Sequence, residues 1–241
     1  MMIFHTIEGR VVPAVTTDQM REIDRIAIEE TGPNLFQMME NAGRNLAGLA
    51  TDRLGADWQR AKVVVLAGTR GNGGGGICAA RHLANRGADV TLVTADPAGL
   101  SEVTRWQYEI YRHTRGAITD DGSQLDADII LDALIGYGLR SAPRGRTAEL
   151  IRWANASPAP LLALDVPSGV DSTSGETPGE MVHAKWTLTL ALPKTGLLPR
   201  LTGELYLGDI GIPEETYRRA GIDLTSPFGA AFVIPLVATP L

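Results

Sequence analysis

One cysteine, Cys78, stands in 241 residues, and a lone thiol excludes an internal disulfide framework and fits a reducing compartment, so the chain is expected in the cytoplasm. Its apolar surroundings predict buried packing. Basic residues are in deficit, 22 Lys and Arg against 28 Asp and Glu for a net charge of −6, which removes the general electrostatic footprint of a nucleic-acid binder. Long apolar runs are missing too. The start, MMIFHTIEGRVVPAV, has no basic region followed by a sustained apolar stretch, so no secretion signal is expected. The end, PFGAAFVIPLVATPL over 227–241, falls short of a membrane span and is interrupted by Pro235 and Pro240. It is expected to pack on the domain or on a partner chain, without a chemical role. No G-x-S-x-G nucleophile elbow occurs, and no spacing of His, Cys and carboxylates suggests zinc. His5, His82, His113 and His183 lie in dissimilar surroundings and read as surface or packing residues. With no repeat, linker or low-complexity block, one domain over 1–241 is expected, with a core over 14–213 and a C-terminal extension over 214–241.

Glycine, by contrast, is abundant. The stretch Val63 to Leu83, VVVLAGTRGNGGGGICAARHL, runs from a strand apolar on both faces into a connection with Gly68, Gly71, Gly73, Gly74, Gly75 and Gly76. Bare backbone can approach a ligand closely there, and the helix that follows, through Ala79, Ala80, Arg81 and Leu83, aims its positive dipole end at the same place, an arrangement that holds phosphate. A flexible surface loop is the plainer alternative. The fingerprint G-x-G-x-x-G matches at Gly71, Gly73 and Gly76, but no acidic residue ends the next strand, Val90 to Val93, which weakens a dinucleotide oxidoreductase.

Thr16 and Gln19 form a capping box for a first helix with Met20, Ile23, Ile26 and Ala27 at helical spacing through Glu30, ended by Gly32 and Pro33. A second helix carries Leu35, Met38, Met39, Ala42, Leu46 and Leu49, its methionines read as core. Both helices are predicted to precede the sheet. Strands are then predicted at Lys62–Ala67, Asp89–Thr94, Asp128–Asp132, Leu161–Asp165 and Thr187–Ala191, with Glu204–Leu207 as a last edge strand. Their alternation with helices gives βαβ units on a mostly parallel sheet, whose ligands bind outside the carboxyl ends of the strands.

Those ends carry polar side chains in turn: Asn72 in the glycine connection, Asp132 in DALIGYGL, Asp165 and Ser168 in LDVPSGVDS, and Lys194 in ALPKTG. Asp132 and Asp165 can also be read as turn caps, Ser168 as a turn residue and Lys194 as a solvated charge. Together they predict two carboxylates, an amide, a hydroxyl and an amine around one crevice.

In this order MREIDRIAIEE, MMENAGRNLA, GTRGNGGGG with AARHL, DALIGYGL, LDVPSGVDS, LALPKTGLL and LGDIGIP resemble the NAD(P)H-hydrate epimerase family, also called the YjeF N-terminal domain, from about Thr16 to Pro213. The resemblance implies an α/β fold, a Rossmann-like three-layer αβα sandwich with a mostly parallel central sheet. It implies an isomerase that interconverts the R and S epimers of hydrated NADH or NADPH, with the nicotinamide nucleotide as substrate. Gly71, Asn72, Gly73, Gly74 and Gly75, the segment Gly136, Tyr137, Gly138, Leu139, Arg140, Ser141 and Ala142, and Asp165 would contact that substrate. A potassium ion would lie near Asn72, Asp132 and Ser168, whose amide, carboxylate and hydroxyl oxygens are hard ligands. Asp165 is the expected acid and base, and Lys194 its electrostatic support.

The chain departs from the family pattern G-x-G-N-N-G-G-D-G at Arg70, Gly71 and Gly75. The change makes the phosphate end more positive and removes polar groups. Asn72, Asp132, Asp165 and Ser168 favour the enzyme, and the three departures favour a non-catalytic nucleotide-binding or scaffold module on the same fold. Too few residues follow LGDIGIP for the dehydratase domain fused in some relatives, so a separate dehydratase is expected. The long first helices and the apolar tail offer surfaces for a homodimer.

Overall fold

Val63 and Val65 face one side of a central sheet and Val64 and Leu66 the other, and all four are buried. A strand covered on both faces is what a continuous apolar run produces. The computed structural model describes residues 2–120 and 125–240. Two short strands, β1 (Met2–Thr6) and β2 (Val11–Val12), come first. Helix α1 (Thr17–Ile26) continues into a wider turn at Ala27–Thr31, and α2 (Leu35–Leu54) is followed by a short 3₁₀ segment over Gly55–Arg60. Then come β3 (Lys62–Ala67), α3 (Gly71–Asn85), β4 (Asp89–Thr94), α4 (Glu102–Tyr111), β5 (Ala117–Thr119), β6 (Ile129–Ala133), α5 (Gly145–Ala156), β7 (Leu161–Leu164) and β8 (Trp186–Leu190). The described chain ends with α6 (Pro199–Thr202), β9 (Glu204–Gly208), α7 (Glu214–Arg219) and β10 (Val233–Pro240).

The ten strands form one sheet in the order β2-β1-β10-β9-β8-β7-β6-β3-β4-β5. From β5 to β9 every pairing is parallel, and β9 to β2 are antiparallel. Leu46 and Leu49 of α2 and Ile77 and Leu83 of α3 pack on one face, and Leu150, Ile151 and Ala154 of α5 on the other, which makes three layers. The predicted capping box and helix start hold at α1: the Thr16 side chain accepts from the Gln19 N–H, and the Gln19 side chain accepts from the Thr16 N–H. Asn34 and Gln37 repeat the arrangement at α2.

Both chain ends depart from the expectation. The first twelve residues are not a prelude to the helices but two strands, and the apolar tail is β10, inserted between β9 and β1. Strand β9 is therefore interior and not an edge, and the sheet reaches beyond 14–213. Its prolines are tolerated because Pro235 precedes the stretch that pairs with β1 and Pro240 ends it. Pattern reading missed β10 because one of its two partners, β1, lies more than two hundred residues away, and such pairing leaves no local mark.

Candidate active site

From β3 the chain winds outward through β4 to β5, and from β6 it winds the other way to β9, so the connections diverge between β3 and β6. A sheet of this kind opens a crevice at that switch point, outside the carboxyl ends of the strands. The cleft found there has a volume of about 1070 Å³ and is lined by the exits of β3, β6, β7 and β8 together with α1 and the start of α2.

The exits of β3 and β6 touch. The Gly68 N–H donates to the Ala133 carbonyl at 3.0 Å, and a Cβ on Gly68 would overlap the Leu134 carbonyl oxygen. Helix α3 starts at Gly71, earlier than the glycine content suggested, so most of that run is helix and not turn. Close packing explains it, since a Cβ on Gly76 would overlap Ala133 of β6. No side chain caps α3, and its first residues, Gly71 and Asn72, line the cleft beside Arg70.

Strands β7 and β8 each stop one residue before their predicted ends, for one reason. Asp165 and Ala191 have φ of +67° and +61°, and the next N–H in each case bonds back to the residue before, Val166 to Leu164 at 2.9 Å and Leu192 to Leu190 at 2.7 Å. These are γ-turns of the positive-φ kind, which are rare and strained. The first swings the Asp165 carboxylate into the cleft and the second brings Lys194 under it.

Lys194 is 1% exposed, so the solvated-charge reading fails. Its ammonium donates to Asp165 Oδ1, to the Leu190 carbonyl at 2.9 Å and to Thr189 Oγ1 at 3.3 Å, and lies 5.9 Å from the Tyr137 ring centre. Asp165 Oδ1 also accepts from the Leu190 N–H at 3.4 Å, and Oδ2 from the Tyr137 N–H at 3.0 Å. The Tyr137 hydroxyl donates to Asp24 on α1. Burial pushes the Asp24 carboxyl above its ordinary value against the pull of that bond and of Lys194. Asp24 was not singled out in the sequence because helical periodicity marks only its apolar neighbours Ile23 and Ile26.

Asp132 and Ser168 lie behind this pair, both at 0% exposure. The Ser168 hydroxyl and N–H donate to the Asp132 carboxylate at 2.6 and 2.8 Å, and the Leu134 N–H donates at 3.2 Å. Burial outweighs these bonds and raises the Asp132 carboxyl to about 6. Asn72 Oδ1 and Asp165 Oδ2 each lie 3.1 Å from where a Cβ of Gly136 would stand, while Asn72 Nδ2 is buried without a partner.

Residues 35–196 match the family described as YjeF-related protein N-terminus. The chain belongs to this family. A Dehalogenimonas lykanthroporepellens protein named NAD(P)H-hydrate epimerase is 57% identical over 98% of both chains. A Hyperthermus butylicus protein named bifunctional NAD(P)H-hydrate repair enzyme Nnr is 42% identical over 84% of this chain, which spans 39% of that longer protein. The crystal structure of yeast ynu0 has a TM-score of 0.80, covering 93% of this chain and 100% of its own at 20% identity, a likeness of fold.

Within this YjeF-related domain the cleft gathers Gly71, Asn72, Gly75, the whole segment from Gly136 to Ala142, Asp165 and Lys194. Gly73 and Gly74 do not line it: they are buried, Gly73 against Gly68 and Gly74 against Met39 and Thr104. Asp96, two residues past β4, does line it, so an acidic group stands near that strand end after all. Linear spacing showed no set of metal-type side chains, yet α2 and α3 bring Glu40, Cys78 and His82 within 4.8 Å of one another. Arg81 already serves as the cation there, donating to Glu40 and, at 3.3 Å, to Cys78. Burial would raise the Glu40 carboxyl, but hydrogen bonds from Arg81, His82 and Cys78 together hold it down at about 2. The same surroundings, burial first, push the thiol up to about 12, which keeps Cys78 an unreactive packing residue. Among the described residues no helix is long and apolar enough to cross a membrane.

Proposed function

We propose that this chain is an NAD(P)H-hydrate epimerase, acting on hydrated NADH or NADPH. The observation that carries the reading is the buried Asp165–Lys194 pair, held by two strained turns at the floor of a switch-point cleft whose other wall is an uncapped helix N-terminus. Names carried by relatives, epimerase at 57% identity above all, point the same way. The bifunctional name of the Hyperthermus protein supports a dehydratase as the partner activity.

The chemistry suits the site. In the hydrate the hydroxyl sits on a carbon bonded to the ring nitrogen, whose lone pair expels it and leaves a planar iminium. Asp165 and Lys194 hold one mobile proton between them. Asp165 takes it from the ammonium and passes it to the hydroxyl, the C–O bond breaks, and water departs. The pair is then anionic beside a cationic ring. After the ring turns about its glycosidic bond, water adds to the other face as its proton returns to Asp165 and then to Lys194. Proton count and charge balance over the cycle. The N–H groups of Leu190 and Tyr137 keep the carboxylate aimed, and the ends of α3 and the 136–142 segment bind the phosphates and exclude water.

A potassium ion fits the residues behind the pair. Asp132 is a fully buried carboxylate with no cationic side chain near it among the described residues, and Ser168 and Asn72 add the hard oxygens such an ion takes. When bound, it would supply a fixed positive charge beside Asp132. Replacing KCl by choline chloride at equal ionic strength should lower the midpoint of thermal unfolding, and an unchanged midpoint removes the ion from the account.

The reaction itself is tested by offering both epimers with an S-specific dehydratase. Full consumption is expected. A plateau at the S fraction would instead establish the non-catalytic binding module that Arg70, Gly71 and Gly75 left open.

A further inference from the structure

Seven cationic side chains line the cleft against four carboxylates, in a chain whose net charge is −6. Four of the seven are already in ion pairs, while Arg70, Arg140 and Arg144 have no side-chain partner among the described residues. A diphosphate needs fewer free cations than that.

Arg70 has the most defined position of the three. It stands immediately before α3, where its carbonyl accepts from the Thr104 hydroxyl at 2.9 Å and from the Gly74 N–H at 3.0 Å. The neighbouring Thr69 carbonyl accepts from the Ser101 N–H at 2.9 Å. The backbone carrying Arg70 is thus fastened to the segment that leaves β4, the place where a dinucleotide fold reads the ribose 2′ position, by an acid for a hydroxyl or an arginine for a phosphate. Asp96 stands on that wall as well, with its Oδ1 accepting the Ala98 N–H at 3.1 Å to hold the turn. Its partial commitment contrasts with the free guanidinium, whose planar fork suits a phosphate group.

We propose that Arg70 reads a 2′-phosphate, so that this site prefers the phosphorylated dinucleotide, hydrated NADPH over hydrated NADH. The inference rests on the epimerase reading for its substrate and on the wall of the cleft for its selectivity, and the two are separable. The probes are 2′,5′-ADP and 5′-AMP, titrated into the intact chain, beside kcat/KM for the two hydrates. The wild type should bind 2′,5′-ADP at least about tenfold more tightly than 5′-AMP, one charge-assisted contact being worth that much. Arg70→Gly should remove most of this ratio and lower the NADPH-hydrate to NADH-hydrate ratio of kcat/KM in step, and Arg70→Lys should keep part of both. Folding is not at risk, because the Arg70 side chain is exposed and has no hydrogen-bond or ion-pair partner among the described residues, and an unchanged thermal midpoint verifies it. Equal binding of the two probes, or a ratio that Arg70→Gly leaves alone, overturns the inference. A wild type that epimerises neither hydrate while its probe ratio still depends on Arg70 overturns the epimerase reading alone.

Discussion

Asp165→Asn should lower kcat for epimerisation by about 10² to 10⁴, the range one positioned acid and base supplies. The variant is chosen for the backbone as much as for the charge. Asp165 has a φ of +67°, and Asn tolerates positive φ almost as well as Asp, so the γ-turn survives. The amide oxygen can still accept the N–H of Tyr137 or Leu190, but it cannot carry the proton. Binding through the α3 end and the 136–142 segment is left in place, so KM should move far less than kcat. Following the R and S epimers by chromatography decides the matter: interconversion at the wild-type rate would remove Asp165 from the chemistry.

Lys194→Met should cost about 3 to 5 kcal/mol of stability, the penalty for leaving one member of a buried pair without its partner. Methionine is close to the lysine stem in length and volume, so the loss is electrostatic and not a cavity. Lys194 is 1% exposed and the Asp165 side chain 6%, so bulk water screens the pair only weakly. Urea unfolding of the single variants and of Asp165→Asn with Lys194→Met closes a double-mutant cycle. The double variant should lose clearly less than the summed singles, because neither charge is then stranded. Additive losses would show that the two side chains do not depend on each other, and the proton-sharing step would fall with that result.

The parallel half of the fold was legible in the sequence. Val63 to Leu66 and the strand at Asp89–Thr94 occur where apolar runs put them, and the Thr16 and Gln19 pattern opens α1 as its capping chemistry requires. These features are local: period, cap and turn residues act within a few positions. Asp132, Asp165, Ser168 and Lys194 could be picked out because each lies at or beyond the end of a strand that a parallel sheet must end on one side.

What the order of residues could not show was what each polar group faces. Lys194 read equally well as a surface charge until the γ-turn at Ala191 folded it beneath Asp165. Asp24 and Arg70 acquire meaning from Tyr137 and from the segment after β4, which are distant in the chain. The same holds for β10 and for the meeting of Glu40 with Cys78 and His82. Local sequence determined the elements, their order and therefore the side of the sheet where the site lies, because backbone propensity and side-chain period are short-range. Charge pairing, burial of the lysine and the place of both termini were decided only by tertiary structure, because they depend on long-range contacts and on the low dielectric that those contacts create.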